Sequence, residues 1–308
     1  MTAGPQSVPP PVLWDLVLPV KRLRYAKTRL RVPPSVISPP EAGHPPAVGC
    51  TPLSGVPRGA GDPLLTDRER LALSFAVDAV DAATAATRVG RVLVVTEDPL
   101  VAGVLASRGA VIVRETRGPG LNPAVEAGID AALAGDSPRR IAVMTADLPA
   151  VTSAEIDAAL ASAQSHRRSV LADAEGTGTV LLTADPFAPV PAGPFAPPTG
   201  DTRATAARDA RAVPDDRSAP VPVRPRPRFG EGSFGRHVAA GHTPLTGAHP
   251  GLRRDVDTGE DLETARLLGL GDTTGSVLDP ERISPRLAET RPGPGRRRPC
   301  LRPVRPRT

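Results

Sequence analysis

Apolar residues in this chain come in short blocks, and the spacing within each block changes along the sequence. Val12–Val20 is an almost unbroken apolar run that closes around Pro19, which predicts a buried strand. Thr66-Asp67-Arg68-Glu69 is a capping-box pattern. The helix it opens turns Leu71, Phe75, Val77 and Val80 towards a core. Arg91–Thr96 is a continuous β-branched run, as in a central parallel strand. Asp98-Pro99 starts a second helix with proline at its first position. Ala110–Val113 reads as the next strand, and Asn122-Pro123 as the cap of a third helix through Ala134. Ile141–Thr145 is a strand that stops at Ala146-Asp147-Leu148-Pro149. Thr152 and Glu155 form a second capping box for a helix to Ala163. Ser169–Ala172 and Val180–Thr183 are strands on either side of Gly176-Thr177-Gly178-Thr179, and Glu260–Leu268 is a last amphipathic helix. This alternation predicts an α/β fold, a three-layer sandwich around a mostly parallel sheet. Ligands in such folds bind at the carboxyl ends of the strands.

Proline interrupts the pattern. Residues 32–63 contain nine prolines and residues 186–228 contain eleven, neither with a hydrophobic period. Both are expected to be disordered inserts. A single domain over 12–275 is therefore expected, with residues 1–11 and a Pro/Arg-rich tail, 276–308, outside it. The tail alters how the charge is read. The net charge is +5, but residues 281–308 hold nine Arg against Glu281 and Glu289. The body is thus slightly acidic, which argues against a nucleic-acid-binding domain. Aromatic residues make up 2% of the chain, too few for base-stacking platforms. No run of 18 apolar residues and no secretory pattern occurs, so a cytoplasmic protein without a membrane span is expected. Cys50 and Cys300 lie in Pro-rich surroundings, which excludes a disulfide framework.

Lys21 and Lys27 are the only lysines, and every other basic residue but histidine is arginine. A compact ammonium is then expected to be required in that segment. Lys21, Lys27 and Arg29 put three cations after the first strand, as a polyphosphate requires. Asp147 directly follows an apolar strand, where a carboxylate is costly unless it meets a metal or a donor. Asp255 and Asp257 share one face of an extended segment, and like charges so close call for a cation. Asp257 or Thr258 could alternatively cap the helix that follows. Gly176-Thr177-Gly178-Thr179 and Phe229-Gly230-Glu231-Gly232-Ser233 are candidate anion nests, or ordinary turns. Neither a dinucleotide fingerprint nor a P-loop is present. His237, His242 and His249 do not have helical zinc spacing and are read as non-catalytic.

Taken in order, these segments resemble the phosphoenolpyruvate / 2-phospho-L-lactate guanylyltransferase family of coenzyme F420 biosynthesis. The matching pieces are residues 18–23, 26–30, 68–73, 94–99, 120–125, 146–150, 176–179, 229–233 and 252–262. The resemblance implies a nucleotidyltransferase fold of the GT-A type. It implies condensation of GTP with a phosphorylated three-carbon acid, releasing pyrophosphate, and passage of the product to a downstream transferase. It further implies that Asp147, Asp255 and Asp257 hold one or two Mg²⁺ ions. By the same resemblance, Thr179, Gly230 and Ser233 bind the acid, and Lys21, Lys27 and Arg29 hold the phosphates of GTP. Gly120, Leu121 and Asn122 would lie by the nucleoside. The two inserts and the basic tail depart from the family pattern, and the inserts are expected to be inert. The alternatives are another nucleotidyltransferase of the same fold, such as a molybdopterin guanylyltransferase, or a non-catalytic nucleotide-binding module. The first normally carries a glycine-rich loop after its first strand, where this chain is Lys/Arg-rich and glycine-free.

Overall fold

The computed structural model describes residues 13–30, 65–135, 139–187 and 223–279. Seven strands form one sheet: β1 (Trp14–Pro19), β2 (Val89–Val95), β3 (Val111–Val113), β4 (Arg140–Met144), β5 (Arg168–Ala172), β6 (Thr179–Ala184) and β7 (Thr243–Pro244). Their order is β3-β2-β1-β4-β6-β5-β7. β1 pairs in parallel with β2 and β4, β2 with β3, and β5 with β7, while β6 opposes both of its neighbours. The short connection from β5 to β6 explains the one reversal, because it has no room for the crossover that a parallel pair needs.

Period-two alternation along β1 builds the layers. Trp14, Leu16 and Leu18 are fully buried on one face, against α1 (Asp67–Ala85), α2 (Pro99–Ala106) and α4 (Ser153–Ala163). Val17 points the other way, with Leu93 and Val95, into the side chains of α3 (Leu121–Leu133). Each such aliphatic side chain contributes about 1.5–3 kcal/mol on burial. Gly128 lets α3 lie close to the sheet, because a Cβ there would stand 2.3 Å from Val17 Cγ1. α5 (Ser233–Ala239) joins that second face through Phe234. A third apolar cluster sets Leu71 and Phe75 of α1 against Leu262 of α7 (Gly259–Leu268) and Val277 of α8 (Asp272–Leu278). α6 (Pro250–Arg253) is a single turn before α7. Among the described residues, no helix is long and apolar enough to cross a membrane.

Both expected capping boxes are formed, at Thr66 with Glu69 and at Thr152 with Glu155, and Thr258 with Asp261 makes a third. Three expectations need correction. α3 is capped by Gly120 rather than Asn122, whose amide is engaged elsewhere, as described below. The folded body runs past 275. The side chain of Asp78 accepts from the amides of Thr273 and Thr274, and this remote carboxylate anchors α8 through Leu278. The end of the second insert is docked. Val223 is buried, and Arg224 reaches Glu126 and Asp130 on α3. Residues 1–12, 31–64, 188–222 and 280–308, on which most of the disorder expectations fall, lie outside the described residues.

Candidate active site

The parallel strands direct the loops after β1, β3, β4 and β5 to one edge of the sheet, and β6, running the other way, starts there. Thr145 just beyond β4 donates its amide to Val180 O at 3.1 Å, which fixes the start of β6 beside the Asp147 loop. Val256 N–H donates to Asp147 O at 3.1 Å, and Ala174 N–H to Arg253 O at 2.8 Å. These two bonds draw the Asp255–Asp257 segment in between the loops after β4 and β5.

Lys27 is the centre of the arrangement. Its φ is +50°, one of two positive values at non-glycine residues among those described. A left-handed conformation costs a side-chain-bearing residue about 1–2 kcal/mol, and such strain gathers at functional sites. It delivers the ammonium to Asp147 Oδ2 at 2.5 Å and Asp257 Oδ1 at 2.8 Å. The Lys27 side chain is only 9% exposed. Burial works against its charge, but the two carboxylates outweigh burial and raise its pKa. Burial likewise opposes the charge of Asp147, and Lys27 reverses the balance, holding Asp147 below the usual carboxylate range. Asp255 has no such partner. Burial first, then the charges of Asp147, Asp173 and Asp257, push it up to about 7.

Lys27 is thus paired with two carboxylates, Asp255 lies in the field of Asp147, Asp173 and Asp257, and Asp147 Oδ1 is buried without a hydrogen-bond partner. This is the electrostatic setting of a divalent cation. Among the described residues no three acidic, histidine or cysteine side chains converge as a ready coordination shell. Mg²⁺ fits that pattern, since it takes one or two carboxylates and completes its shell with water and substrate phosphates. Asp147 and Asp255 have the donors for it, while Asp257 turns to Lys27.

The two glycine-rich pieces meet. Asp173 accepts from the amides of Thr177 and Gly178 and so shapes the β5–β6 loop. Phe234 N–H donates to Thr177 O at 3.1 Å, which seats the start of α5 on that loop. Gly230 has φ +124°, a value that favours glycine, and its carbonyl accepts from Ser233 N–H. Thr179 and Ser233 are both buried. Asn122 clamps Phe229 from α3, its Oδ1 accepting from Phe229 N–H at 2.8 Å and its Nδ2 donating to Phe229 O at 3.1 Å.

A cleft at this edge is lined by Lys21, Lys27, Leu121, Asp147 and Asp257, with Tyr25 at its side. Five of the expected residues, Lys21, Lys27, Leu121, Asp147 and Asp257, therefore line one cleft from loops far apart in sequence. Lys27, Asp147 and Asp257 are in direct contact, and Asp255 shares their field. Thr179, Gly230 and Ser233 are linked by one set of loop hydrogen bonds, and Gly120 caps the helix that carries Leu121 and Asn122. Arg29 is exposed in the turn after Lys27 and is not part of this lining. Sequence reasoning missed Asp173, whose role is set by two backbone amides, and Tyr25. It also gave no hint that His237 and His242 would be buried.

Comparison with known proteins places the chain in a family. A family model described as a MobA-like NTP transferase domain matches residues 64–227. The phosphoenolpyruvate guanylyltransferase of Geodermatophilus obscurus is 37% identical over 266 residues, 86% of this chain and 94% of that one. Its counterpart in Salinispora arenicola is 38% identical over 264 residues, 85% and 92% of the respective chains. Among solved structures, 4-diphosphocytidyl-2C-methyl-D-erythritol synthase superposes with a TM-score of 0.40 at 13% identity, over 83% of this chain and 98% of that one. That superposition is too loose to carry an argument, whereas identity of this depth along nearly the full length of both relatives reflects common descent. The protein is a nucleotidyltransferase, and the chain belongs to the phosphoenolpyruvate guanylyltransferase family.

Proposed function

We propose that this protein transfers the guanylyl group of GTP to phosphoenolpyruvate, giving enolpyruvyl-2-diphospho-5′-guanosine and pyrophosphate. 2-Phospho-L-lactate, which would give lactyl-2-diphospho-5′-guanosine, is the competing acid. The observation that carries the reading is the strained Lys27, its ammonium held between Asp147 and Asp257 at the carboxyl edge of the sheet. A phosphate oxygen of the acid attacks the α-phosphorus of GTP. The bond from that phosphorus to the bridging oxygen breaks, and pyrophosphate leaves with the electron pair. No covalent enzyme group is needed, because phosphoryl-type transfer depends on positioning and neutralised charge.

Lys27 and, from the rim of the cleft, Lys21 meet the phosphates of GTP, with Arg29 available from the adjoining turn. Thr179, Gly230 and Ser233 receive the acid, and Gly120, Leu121 and Asn122 flank the nucleoside. Transferases of this fold generally use divalent metal ions. Asp147 and Asp255 would hold Mg²⁺ here, and the ion would supply charge neutralisation for the attacking and leaving oxygens. The product's place is in coenzyme F420 biosynthesis in the cytoplasm, where a downstream transferase would consume it. The test is pyrophosphate release from GTP with each acid in turn, with mass spectrometry of the product. Release with phosphoenolpyruvate and a guanylylated product are expected. Pyrophosphate release that needs no acid, or no release with either acid, would end this reading.

A further inference from the structure

His237, on α5, is fully buried between the start of β6 and the docked segment 223–229. The backbone N–H of Arg228 donates to its Nε2 at 2.8 Å. That nitrogen therefore carries the lone pair, and in the neutral ring the proton sits on Nδ1. Nδ1 lies 2.9 Å from Thr179 Oγ1. With Nδ1–H as donor, the Thr179 hydroxyl is the acceptor of this bond, and its own proton is free to be given to another group. Burial, then the nearby His242, Arg236 and Arg228, lower the His237 pKa to about 4, so the ring remains neutral at physiological pH. The neighbourhood also fixes the ring plane. Phe229 and His242 both stand edge-on to it, with centroids at 5.1 and 5.6 Å.

We propose that His237 is a positioning residue of the acid subsite, turning the Thr179 hydroxyl into a hydrogen-bond donor aimed at the acid. The inference rests on the reading of Thr179, Gly230 and Ser233 as that subsite. One imidazole ties all three together. Its Nδ1 holds Thr179, its Nε2 holds the backbone two residues before Gly230, and it stands one helical turn after Ser233 on α5. Free hydroxyls rotate, and a hydroxyl committed as acceptor to a fixed ring presents its proton in one sector. The gain is expected in acid binding and not in GTP binding.

The experiment is steady-state pyrophosphate release by the full chain, varying phosphoenolpyruvate at fixed GTP and then the reverse. H237Q can keep an acceptor near Arg228 N–H but withdraws the donor from Thr179. H237N places an amide donor near the Nδ1 position. H237Q is expected to raise the KM for phosphoenolpyruvate about tenfold or more, the effect of losing one hydrogen bond to a charged ligand, with the KM for GTP unmoved. H237N should recover most of that loss. T179V should match the H237Q defect, and the double variant should be no worse than T179V alone, as expected of one shared interaction. If T179V raises the acid KM and H237Q does not, the positioning role is overturned while the subsite stands. If T179V itself has no effect, the subsite reading fails at this residue and the proposal fails with it. Equal defects for both substrates would mark His237 as a folding residue only and would also overturn the proposal. The histidine ¹H–¹⁵N correlation spectrum of the unmutated protein is a check that no unstable variant can obscure. A neutral ring protonated on Nδ1 is expected, and protonation on Nε2 would be fatal to the idea.

Discussion

At the scale of single residues, the site is a problem of charge balance. Lys27 is the one ammonium in contact with Asp147 and Asp257, and Asp255 is left in a negative field. On the proposed metal assignment, removing either Asp147 or Asp255 deletes a donor to the ion. D147N and D255N should therefore each abolish Mg²⁺-dependent pyrophosphate release while melting within a few degrees of the parent. Near-parental turnover in either variant would remove that carboxylate from the metal assignment. Lys27 differs in kind. Its ammonium is a compact point charge seated between two carboxylates, and a guanidinium is wider and planar. K27R should lower kcat/KM roughly ten- to a thousand-fold, or about 1.4–4 kcal/mol in the barrier. An unchanged rate would mean that the scarcity of lysine elsewhere in the chain is accidental. Composition made Lys27 legible, since arginine had replaced lysine almost everywhere else. Asp173 was not legible, because its partners are the amides of Thr177 and Gly178, and any sequence offers amides.

At the scale of elements, the sequence announced what local chemistry controls and concealed what remote groups control. The capping boxes at Thr66 and Thr152 are closed by side chains three residues away, so they could be read directly. α8 is anchored by Asp78, almost two hundred residues earlier in the chain, and so went unseen. Asn122 looked like a helix cap because asparagine before proline commonly is one. Its amide instead matches the free backbone N–H and C=O of Phe229, a partner supplied only by the folded chain. His237 and His242 belong to this concealed class, and they carry a consequence for pH. Burial is the first cause in both, and each is held down to about 4. The ordinary histidine value applies in the unfolded chain, which therefore binds more protons between that value and 4. The histidines' contribution to stability is full above pH 6.5 or so and is lost as the pH falls towards 4. Between pH 7 and 5 the loss should be roughly 1–2 kcal/mol per histidine, read from the urea midpoint. Asp255, held up at about 7, changes stability in the opposite direction over this window, so the readout is the difference between variants. H242N should lose roughly 1–2 kcal/mol less than the parent between pH 7 and 5, and parallel pH profiles would show that the His242 ring is not held neutral.

At the scale of the whole molecule, charge and composition are unevenly distributed along the chain. The positive net charge resides in the C-terminal arginines, while the body that carries the site is near neutrality. The second insert is the more instructive case, because composition averaged over 186–228 concealed a change of character near its end. Up to 222 the segment is short of large apolar residues, and ordering a chain costs about 1–2 kcal/mol per residue. From Val223 onward, Val223, Arg224 and Arg228 make contacts with the folded body. Val223 is buried, and Arg224 forms ion pairs with Glu126 and Asp130. The Arg224 carbonyl accepts from Arg168 Nε at 2.8 Å, and Arg228 donates its amide to His237. These contacts end one residue before Phe229-Gly230, so they set where the Gly230 loop begins. Replacing 188–222 with a Gly/Ser segment of equal length should leave both KM values and kcat essentially as they are. Extending the same replacement through 228 removes the Arg224 pairs and the buried Val223, and should raise the KM for phosphoenolpyruvate while sparing the KM for GTP. If the shorter replacement alone produced that selective defect, residues 188–222 would themselves be part of the acid subsite, and the division of the insert at Val223 would be wrong.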